Sequence, residues 1–106
     1  MNRTETLLEM LKASPNDSFL QFALALEHLK TGEEEAAERY FRAILETNPQ
    51  YTGTYYHLGK LLERKGDKNG AEQTYRDGLR LTFGKEQHTY AELQQALNDL
   101  WMDDDL

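Results

Sequence analysis

Side chains that commonly take part in catalysis or metal binding are few in this sequence and lie far apart. Its 106 residues contain no cysteine and three histidines, His28, His57 and His88. No two histidines have the four-residue spacing that places two metal ligands on one helical face, and no thiolate ligand or nucleophile exists. The sequence therefore predicts no metal site and no cofactor. We expect His28 to replace an aromatic residue between two helices and to have a hydrogen-bond partner.

The stretch from Gly53 to Lys60 has the residue types of a phosphate-binding loop but not its spacing. Five residues rather than four separate Gly53 from Gly59, and Leu61 stands where the loop needs a hydroxyl group to bind magnesium. The many carboxylates follow exposed helical faces, and no serine or histidine belongs to a nucleophile motif. We therefore expect the protein not to be an enzyme.

The composition excludes several other classes of function. Twelve Lys and Arg against nineteen Asp and Glu give a formal net charge of -7, whereas nucleic acids and anionic membranes attract clustered basic residues. No apolar run approaches the ~20 residues of a membrane span. The short apolar pair Leu7-Leu8 is too small for a secretory signal. We expect a soluble cytoplasmic protein that binds neither nucleic acid nor membrane.

The elements that would position the side chains recur at a fixed distance. Prolines, glycines, leucines, alanines and aromatic residues have counterparts 34 positions further along the chain. The pairs are Pro15 and Pro49, Leu24 and Leu58, Gly32 and Gly66, Ala37 and Ala71, Phe41 and Tyr75, and Leu45 and Leu79. This period is typical of a helix–turn–helix unit that stacks on its neighbours and cannot bury its apolar face alone.

Helical patterning divides the chain into two full repeats between two single helices. Residues 1–13 form the back half of a repeat, residues 18–50 and 52–83 form the full repeats, and residues 87–102 form a C-terminal capping helix. These segments use nearly all of the chain, so we predict one domain over residues 1–102.

The last residues, 103–106, form an acidic tail. We interpret this tail as a frayed and solvated end. The alternative is an acidic handle for a basic partner, or for Lys60 and Arg64 of a second copy of the chain.

The second repeat resembles the tetratricopeptide repeat (TPR) family. That pattern has a bulky aromatic residue, Leu-Gly, a second large residue, a small Ala and an aromatic residue four positions later. The matching residues are Tyr55, Leu58, Gly59, Leu62, Ala71 and Tyr75. Residues 53–61 and 92–97 are similar to small stand-alone bacterial TPR proteins. The first repeat departs from the pattern, with Gln21 and His28 at its bulky sites and Ala25 at its small one.

This resemblance implies both a fold and a function. The implied fold is all-α, with TPR-type helical hairpins and about six antiparallel helices in a short right-handed solenoid. In the family, the front helix of each repeat lines a concave groove that binds a protein or peptide, so we expect a non-enzymatic adaptor or scaffold. The predicted groove residues are Phe19, Phe22, Leu26, Leu29, Tyr56, His57, Lys60 and Arg64.

The apolar stripe on the first front helix has two interpretations. Phe19, Phe22, Leu26 and Leu29 could form a broad stripe that faces the core, as in any amphipathic helix. They could instead form an exposed wall for a partner's side chains or for self-association.

The second front helix also leaves two interpretations open. Tyr56, Lys60 and Arg64 are four residues apart and share one side, so they could hold the backbone or a carboxylate of an extended ligand. They could equally be an ordinary solvated face. The alternative function for the whole chain is structural, namely a weak homo-oligomer formed through the apolar wall or the C-terminal helix.

Overall fold

Six α-helices account for most of residues 2–102, which are the residues that this computed structural model describes. The chain divides into two compact units at the bond between Tyr51 and Thr52. Unit 1 contains α1 (Arg3–Ala13), α2 (Ser18–Lys30) and α3 (Glu34–Thr47); unit 2 contains α4 (Gly53–Arg64), α5 (Lys68–Thr82) and α6 (Gln87–Leu100). No strand occurs within residues 2–102. The predicted all-α class with six helices is confirmed.

An aspartate side chain caps one helix in each unit, the front helix α2 in unit 1 and the back helix α5 in unit 2. Asp17 accepts a hydrogen bond from the backbone N–H of Leu20 at 3.0 Å, at the start of α2. Asp67 accepts one from the backbone N–H of Gly70 at 2.9 Å, at the start of α5. Each bond satisfies one of the N–H groups that the first turn of a helix leaves unpaired.

Gly32 and Gly66 end the front helices α2 and α4 in the same way. Their φ angles are +78° and +86°, a left-handed conformation that disfavours any residue with a Cβ. The residue after each glycine donates a backbone hydrogen bond of 2.8 Å to the carbonyl five positions earlier. These bonds run from Glu33 N–H to the His28 carbonyl and from Asp67 N–H to the Leu62 carbonyl. The 34-residue spacing of the sequence therefore reappears in the backbone hydrogen bonds.

The core of unit 1 lies on one side of α2, which packs against both α1 and α3. Where α1 packs on α2, the buried side chains are apolar. They are Leu7, Leu20, Ala23 and Leu24, with Leu11 and Tyr40 packed against them. On α3, the side chains of Ala37, Phe41 and Ile44 are fully buried. Apolar residues at three- and four-residue steps thus hold the three helices together.

The core of unit 2 depends on a close approach between α4 and α5. A Cβ atom at Gly59 would lie 2.2 Å from Cε1 of Tyr75, far inside van der Waals contact. The fully buried Tyr75 ring uses this space, and its hydroxyl donates a hydrogen bond to the Glu63 carboxylate. Burial, followed by the nearby Glu63 carboxylate, raises the pKa of the Tyr75 hydroxyl.

The indole of Trp101, at the C-terminal end of α6, contacts side chains of α5. Trp101 Nε1 donates a hydrogen bond to Glu72 Oε1 at 2.7 Å, and Lys68 Nζ lies 5.2 Å from the centroid of the indole ring. Hydrogen bonds from Arg76 and then from Trp101 lower the pKa of the Glu72 carboxyl. These contacts hold α6 against the last full hairpin, as expected for a terminal helix that covers an apolar face.

The expectations about a membrane span, the acidic tail and the domain organisation remain to be compared with the structure. None of the six helices is long and apolar enough to cross a membrane. The predicted acidic tail, residues 103–106, lies outside the described part of the chain. The single domain over residues 1–102 and the right-handed stacking stay predictions.

Candidate functional site

Helix α2 has a buried side and an open side, and the open side is aromatic. Leu20, Ala23 and Leu24 face the core, whereas 56% of the Phe19 surface is exposed and Phe22 is half-buried. Since 3.6 residues make one helical turn, residues 19, 22 and 26 lie along one face and residues 20 and 24 along another. The structure therefore supports an open wall at Phe19 and a partly packed one at Phe22.

Phe22 lies among aromatic side chains from other parts of unit 1. Its ring centroid is 6.0 Å from that of Phe41 on α3 and 5.4 Å from that of Tyr51, which approaches edge-on. Tilted and edge-to-face arrangements are the favoured geometries for aromatic pairs. These contacts fix the orientation of Phe22 and leave a concave surface beside it.

We call this concave surface the α2 hollow; it has a volume of about 560 Å³. Its floor is mostly apolar and its rim is charged. The lining residues are Arg3, Phe19, Phe22, Ala23, Leu26, Glu27, Lys30 and Tyr51. A concave surface that combines apolar walls with a few charged groups is the usual form of a binding site.

The rim of the α2 hollow contains two cations and one carboxylate. Arg3 Nε donates to Glu27 Oε1 at 2.8 Å, and Lys30 Nζ lies 3.5 Å from the same oxygen. The side chains of Arg3 and Lys30 are 62% and 71% exposed, whereas that of Glu27 is 15% exposed. One carboxylate thus neutralises one of two cations, and the rim has a surplus positive charge.

Unit 2 has a pocket of about 350 Å³ between α4 and α6, which we call the α4–α6 pocket. Lys60 Nζ lies 5.8 Å from the centroid of the Tyr56 ring and 3.8 Å from Glu63 Oε2. The pocket is lined by Tyr56, Lys60, His88, Ala91, Glu92, Gln95, Ala96 and Asp99. Because α6 contributes two carboxylates, this pocket is more acidic than the α2 hollow.

His57 lies beside the α4–α6 pocket without lining it. Its ring is half-buried and meets the Tyr56 ring edge-on, with 5.6 Å between centroids. Burial lowers the pKa of the His57 imidazole, and the Glu92 carboxylate acts in the opposite direction. The ring is therefore biased toward the neutral form, which suits packing rather than pairing with an anionic ligand.

The structure brings together only part of each predicted set. Phe19, Phe22 and Leu26 line the α2 hollow, and Tyr56 and Lys60 line the α4–α6 pocket. The half-buried Leu29, together with His57 and the exposed Arg64, lines neither cavity.

Sequence reasoning missed the charged rim of the α2 hollow and Tyr51 in its lining. Lys30 could have been found, because it stands four residues after Leu26 on the same helical side. Arg3 gives no such signal, since it meets Glu27 from a different helix, 24 positions away.

The expected environment of His28 is confirmed, and no metal cluster is found in the described part. His28 stacks on Tyr40 of α3 with 5.7 Å between ring centroids, and its Nδ1 lies 3.2 Å from a Glu33 oxygen. Among residues 2–102, no group of three His, Asp or Glu side chains is close enough to hold a metal ion.

Known proteins share this architecture. Residues 20–51 and 52–83 each match the family model described as tetratricopeptide repeat. The TPR repeat-containing protein PA0015 of Pseudomonas aeruginosa is 32% identical over 75 residues, which are 71% of this chain and 71% of that protein.

Two solved structures are also similar. The crystal structure of a tetratricopeptide repeat domain protein from Salinibacter ruber is 41% identical, with a TM-score of 0.76 over 79% of this chain and 94% of that one. The solution structure of protein BPP2914 from Bordetella parapertussis is 32% identical, with a TM-score of 0.81 over 98% of this chain and 91% of that one.

Proposed function

The chain belongs to the tetratricopeptide repeat family, and from that premise we propose that it is an adaptor whose α2 hollow binds a segment of a partner protein. Proteins with this fold are generally non-enzymatic modules for protein–protein interaction, because stacked repeats present extended concave surfaces. The hollow is the feature of this chain that best fits such a role.

The exposed ring of Phe19 is the observation that carries the proposal. A phenylalanine with 56% of its surface in water, beside a cavity of about 560 Å³, leaves apolar area that the core of unit 1 does not use. Contiguous exposed apolar surface with a polar rim is typical of an interaction site. A partner side chain that enters the hollow would remove this area from water.

The geometry favours an anchored mode of binding. Phe22 is already held by Phe41 and Tyr51, so a ligand would meet an ordered aromatic wall rather than have to order one. Because the hollow accommodates few side chains, we expect a dissociation constant on the order of 10 μM.

Tyr56 and Lys60 in unit 2 are proposed as a second, polar contact surface. Lys60 Nζ already lies near the Tyr56 ring and the Glu63 carboxylate. A partner's backbone carbonyl or carboxylate would have to compete with both contacts. We therefore expect this surface to contribute less binding free energy than the α2 hollow.

A selection experiment tests the proposal at the α2 hollow. Peptides displayed on phage are selected on the intact protein, and their affinities for three proteins are then measured by fluorescence anisotropy. The proteins are the wild type, Phe19→Glu and Phe83→Glu. Phe83 is the matched control, because it is a phenylalanine in unit 2 with 71% of its surface exposed. We expect Phe19→Glu to weaken binding about tenfold or more, as loss of an apolar anchor does.

Both variants must first give the circular dichroism spectrum of the wild type, so that lost binding is not lost folding. Selected peptides that bind Phe19→Glu as tightly as the wild type would contradict the proposal. So would a selection that yields only peptides sensitive to Phe83→Glu.

A further inference from the structure

The α2 hollow has a local charge opposite to that of the whole chain. The formal net charge is -7, yet the hollow rim combines two cations with one carboxylate. Both cations contact the same oxygen of Glu27. The Arg3 guanidinium has five N–H donors, and its Nε–H is used in the bond to Glu27, so further donors can reach an incoming anion. The rim is thus suited to a ligand that brings carboxylates.

The floor of the hollow adds a second requirement. Phe19, Phe22 and Leu26 offer apolar surface directly beside the cations. A ligand that fits both features has an apolar side chain within a few residues of two or more carboxylates. A purely acidic segment would leave the floor in water, and a purely apolar one would leave the rim unmatched.

One segment of this chain has that combination of side chains. Met102 is exposed, and residues 103–106, which lie outside the described part of the chain, have the sequence Asp-Asp-Asp-Leu. The indole of Trp101 is already engaged by Glu72 and Lys68. In the sequence, the apolar residues Met102 and Leu106 stand on either side of three aspartates.

We propose that the α2 hollow of one copy binds residues 102–106 of a second copy. An apolar side chain of that segment packs on Phe19 and Phe22, and its aspartates pair with Arg3 and Lys30. The inference rests on the proposed function, since it assigns an occupant to the same hollow. It predicts a homo-oligomer to which the tail of each copy contributes side chains.

The α4–α6 pocket fits this acidic segment less well. Lys60 is its cation, but Glu92 and Asp99 line the same pocket and would repel the aspartates. Like charges at close range disfavour binding, whereas the rim of the α2 hollow contains a surplus of positive charge. Of the two cavities, the α2 hollow has the charge complementarity.

The contact is small, so the association must be weak. A segment of five residues buries far less than the ~1,200 Å² of a stable interface, and a dissociation constant on the order of 100 μM follows. At physiological salt the Debye length of about 8 Å screens the repulsion between two negatively charged copies, while close ion pairs are less affected.

Light scattering of the full chain over a dilution series from about 10 μM to about 1 mM tests the proposal, since this range brackets the expected constant. The rim variant, Arg3→Glu with Lys30→Glu, should stay monomeric throughout. The tail variant, with Asp103, Asp104 and Asp105 each changed to Lys, should also stay monomeric. An equimolar mixture of the two should associate again, because the acidic tails of the first meet the intact hollow of the second.

A matched control separates the effect of the rim residues on association from the effect of net charge. Lys12→Glu with Arg42→Glu changes the charge by the same amount, and both residues pair with glutamates of their own helices. This variant should associate like the wild type. The inference would be overturned if the wild type is monomeric at every concentration. It would also be overturned if the control loses association as much as the rim variant does, or if the mixture fails to associate. Loss of association caused by the single substitution Lys60→Glu, with the α2 hollow unchanged, would also overturn the inference.

A peptide titration distinguishes failure of this inference from failure of the proposed function. The probe is a labelled Trp-Met-Asp-Asp-Asp-Leu peptide with a C-terminal amide, and its counterpart has three lysines in place of the aspartates. The wild type should bind the first at least about tenfold more tightly, and the rim variant should lose that preference. If this peptide does not bind while phage-selected peptides still depend on Phe19, only the present inference fails. If neither the tail peptide nor any phage-selected peptide binds, both this inference and the proposed function fail.

Discussion

The front helices of the two units have different side chains at equivalent positions. Phe22 and Leu26 of α2 correspond to Tyr56 and Lys60 of α4, each pair 34 residues apart. In unit 1 these positions line an apolar hollow, and in unit 2 they form a ring–ammonium contact beside an acidic helix. Gly32 and Gly66, which end these two helices, have the same left-handed backbone conformation. Positions that set the backbone are thus repeated, while positions on the open face differ between units.

The interiors of the two units differ in a coordinated way. Unit 1 has Ala25, Phe41 and Leu29 where unit 2 has Gly59, Tyr75 and Glu63. The missing Cβ at residue 59 makes room for the tyrosine ring, whose hydroxyl then bonds to the carboxylate. One unit is therefore closed by apolar packing at these positions and the other by a polar pair, so substitutions should affect them differently.

The largest expected effect comes from filling the space between α4 and α5. Gly59→Ala places a methyl group on the buried Tyr75 ring and should lower the free energy of unfolding by about 3 kcal/mol, because an overpacked core cannot relax freely. Urea denaturation followed by circular dichroism and by the fluorescence of Trp101, the single tryptophan, measures it.

The reciprocal change, Ala25→Gly in unit 1, removes a buried methyl group instead. It should cost about 1.5 kcal/mol, from lost burial and lower helix propensity. A Gly59→Ala protein as stable as the wild type would show that the Tyr75 ring moves aside at no cost.

A second substitution in unit 2 tests the polar pair itself. Tyr75→Phe removes the hydrogen bond to Glu63 and should cost about 1.5 kcal/mol, since it leaves a partly buried carboxylate without that donor. Adding Glu63→Leu, which reproduces the residue types of unit 1, should recover part of the loss. Urea midpoints of the single and double variants test this, and no recovery in the double variant would refute the coupling.

The same pair predicts behaviour at high pH. The pKa of Tyr75 is raised in the folded protein, so its contribution to stability is complete below the ordinary tyrosine value near 10 and is lost as the pH rises above that value. The wild type should therefore lose stability more steeply than Tyr75→Phe between about pH 10 and pH 11. Thermal melts at several alkaline pH values measure the difference.

A smaller effect, also confined to unit 2, involves His57. Its pKa is lowered by burial, so the unfolded chain binds a proton more readily than the folded ring does. Stability should therefore fall as the pH drops through the ordinary histidine value near 6.5, and His57→Gln should flatten this dependence. Unfolding midpoints between about pH 5 and pH 8 test it. Equal slopes in wild type and His57→Gln would contradict it.

The smallest expected effect lies at the exposed end of the α2 stripe. Phe19→Glu should change the free energy of unfolding by no more than about 0.5 kcal/mol, because the ring contributes little to the core. Phe22→Glu should cost about 2–3 kcal/mol, since its ring packs on Phe41 and Tyr51. Equal losses in the two variants, measured by urea denaturation, would mean that Phe19 is packed as well.

Sequence reasoning predicted most of the fold because its signals are local. Gly32 and Gly66 end helices through their own backbone angles, and Asp17 and Asp67 begin helices through bonds three residues away. Such features depend on the nearest neighbours in the chain. The same reasoning predicted the candidate site only in part, because a helical period shows which residues share a side but not how far that side is covered.

The sequence by itself determined the helical repeat, its length and the family, since period, capping and small residues are encoded within one repeat. Only the tertiary structure decided that Phe19 stays exposed while Leu29 does not line the hollow. It also decided that Arg3 and Lys30 share one carboxylate. The physical reason is that exposure and charge pairing depend on distances between side chains of different helices, which the order of residues along the chain does not specify.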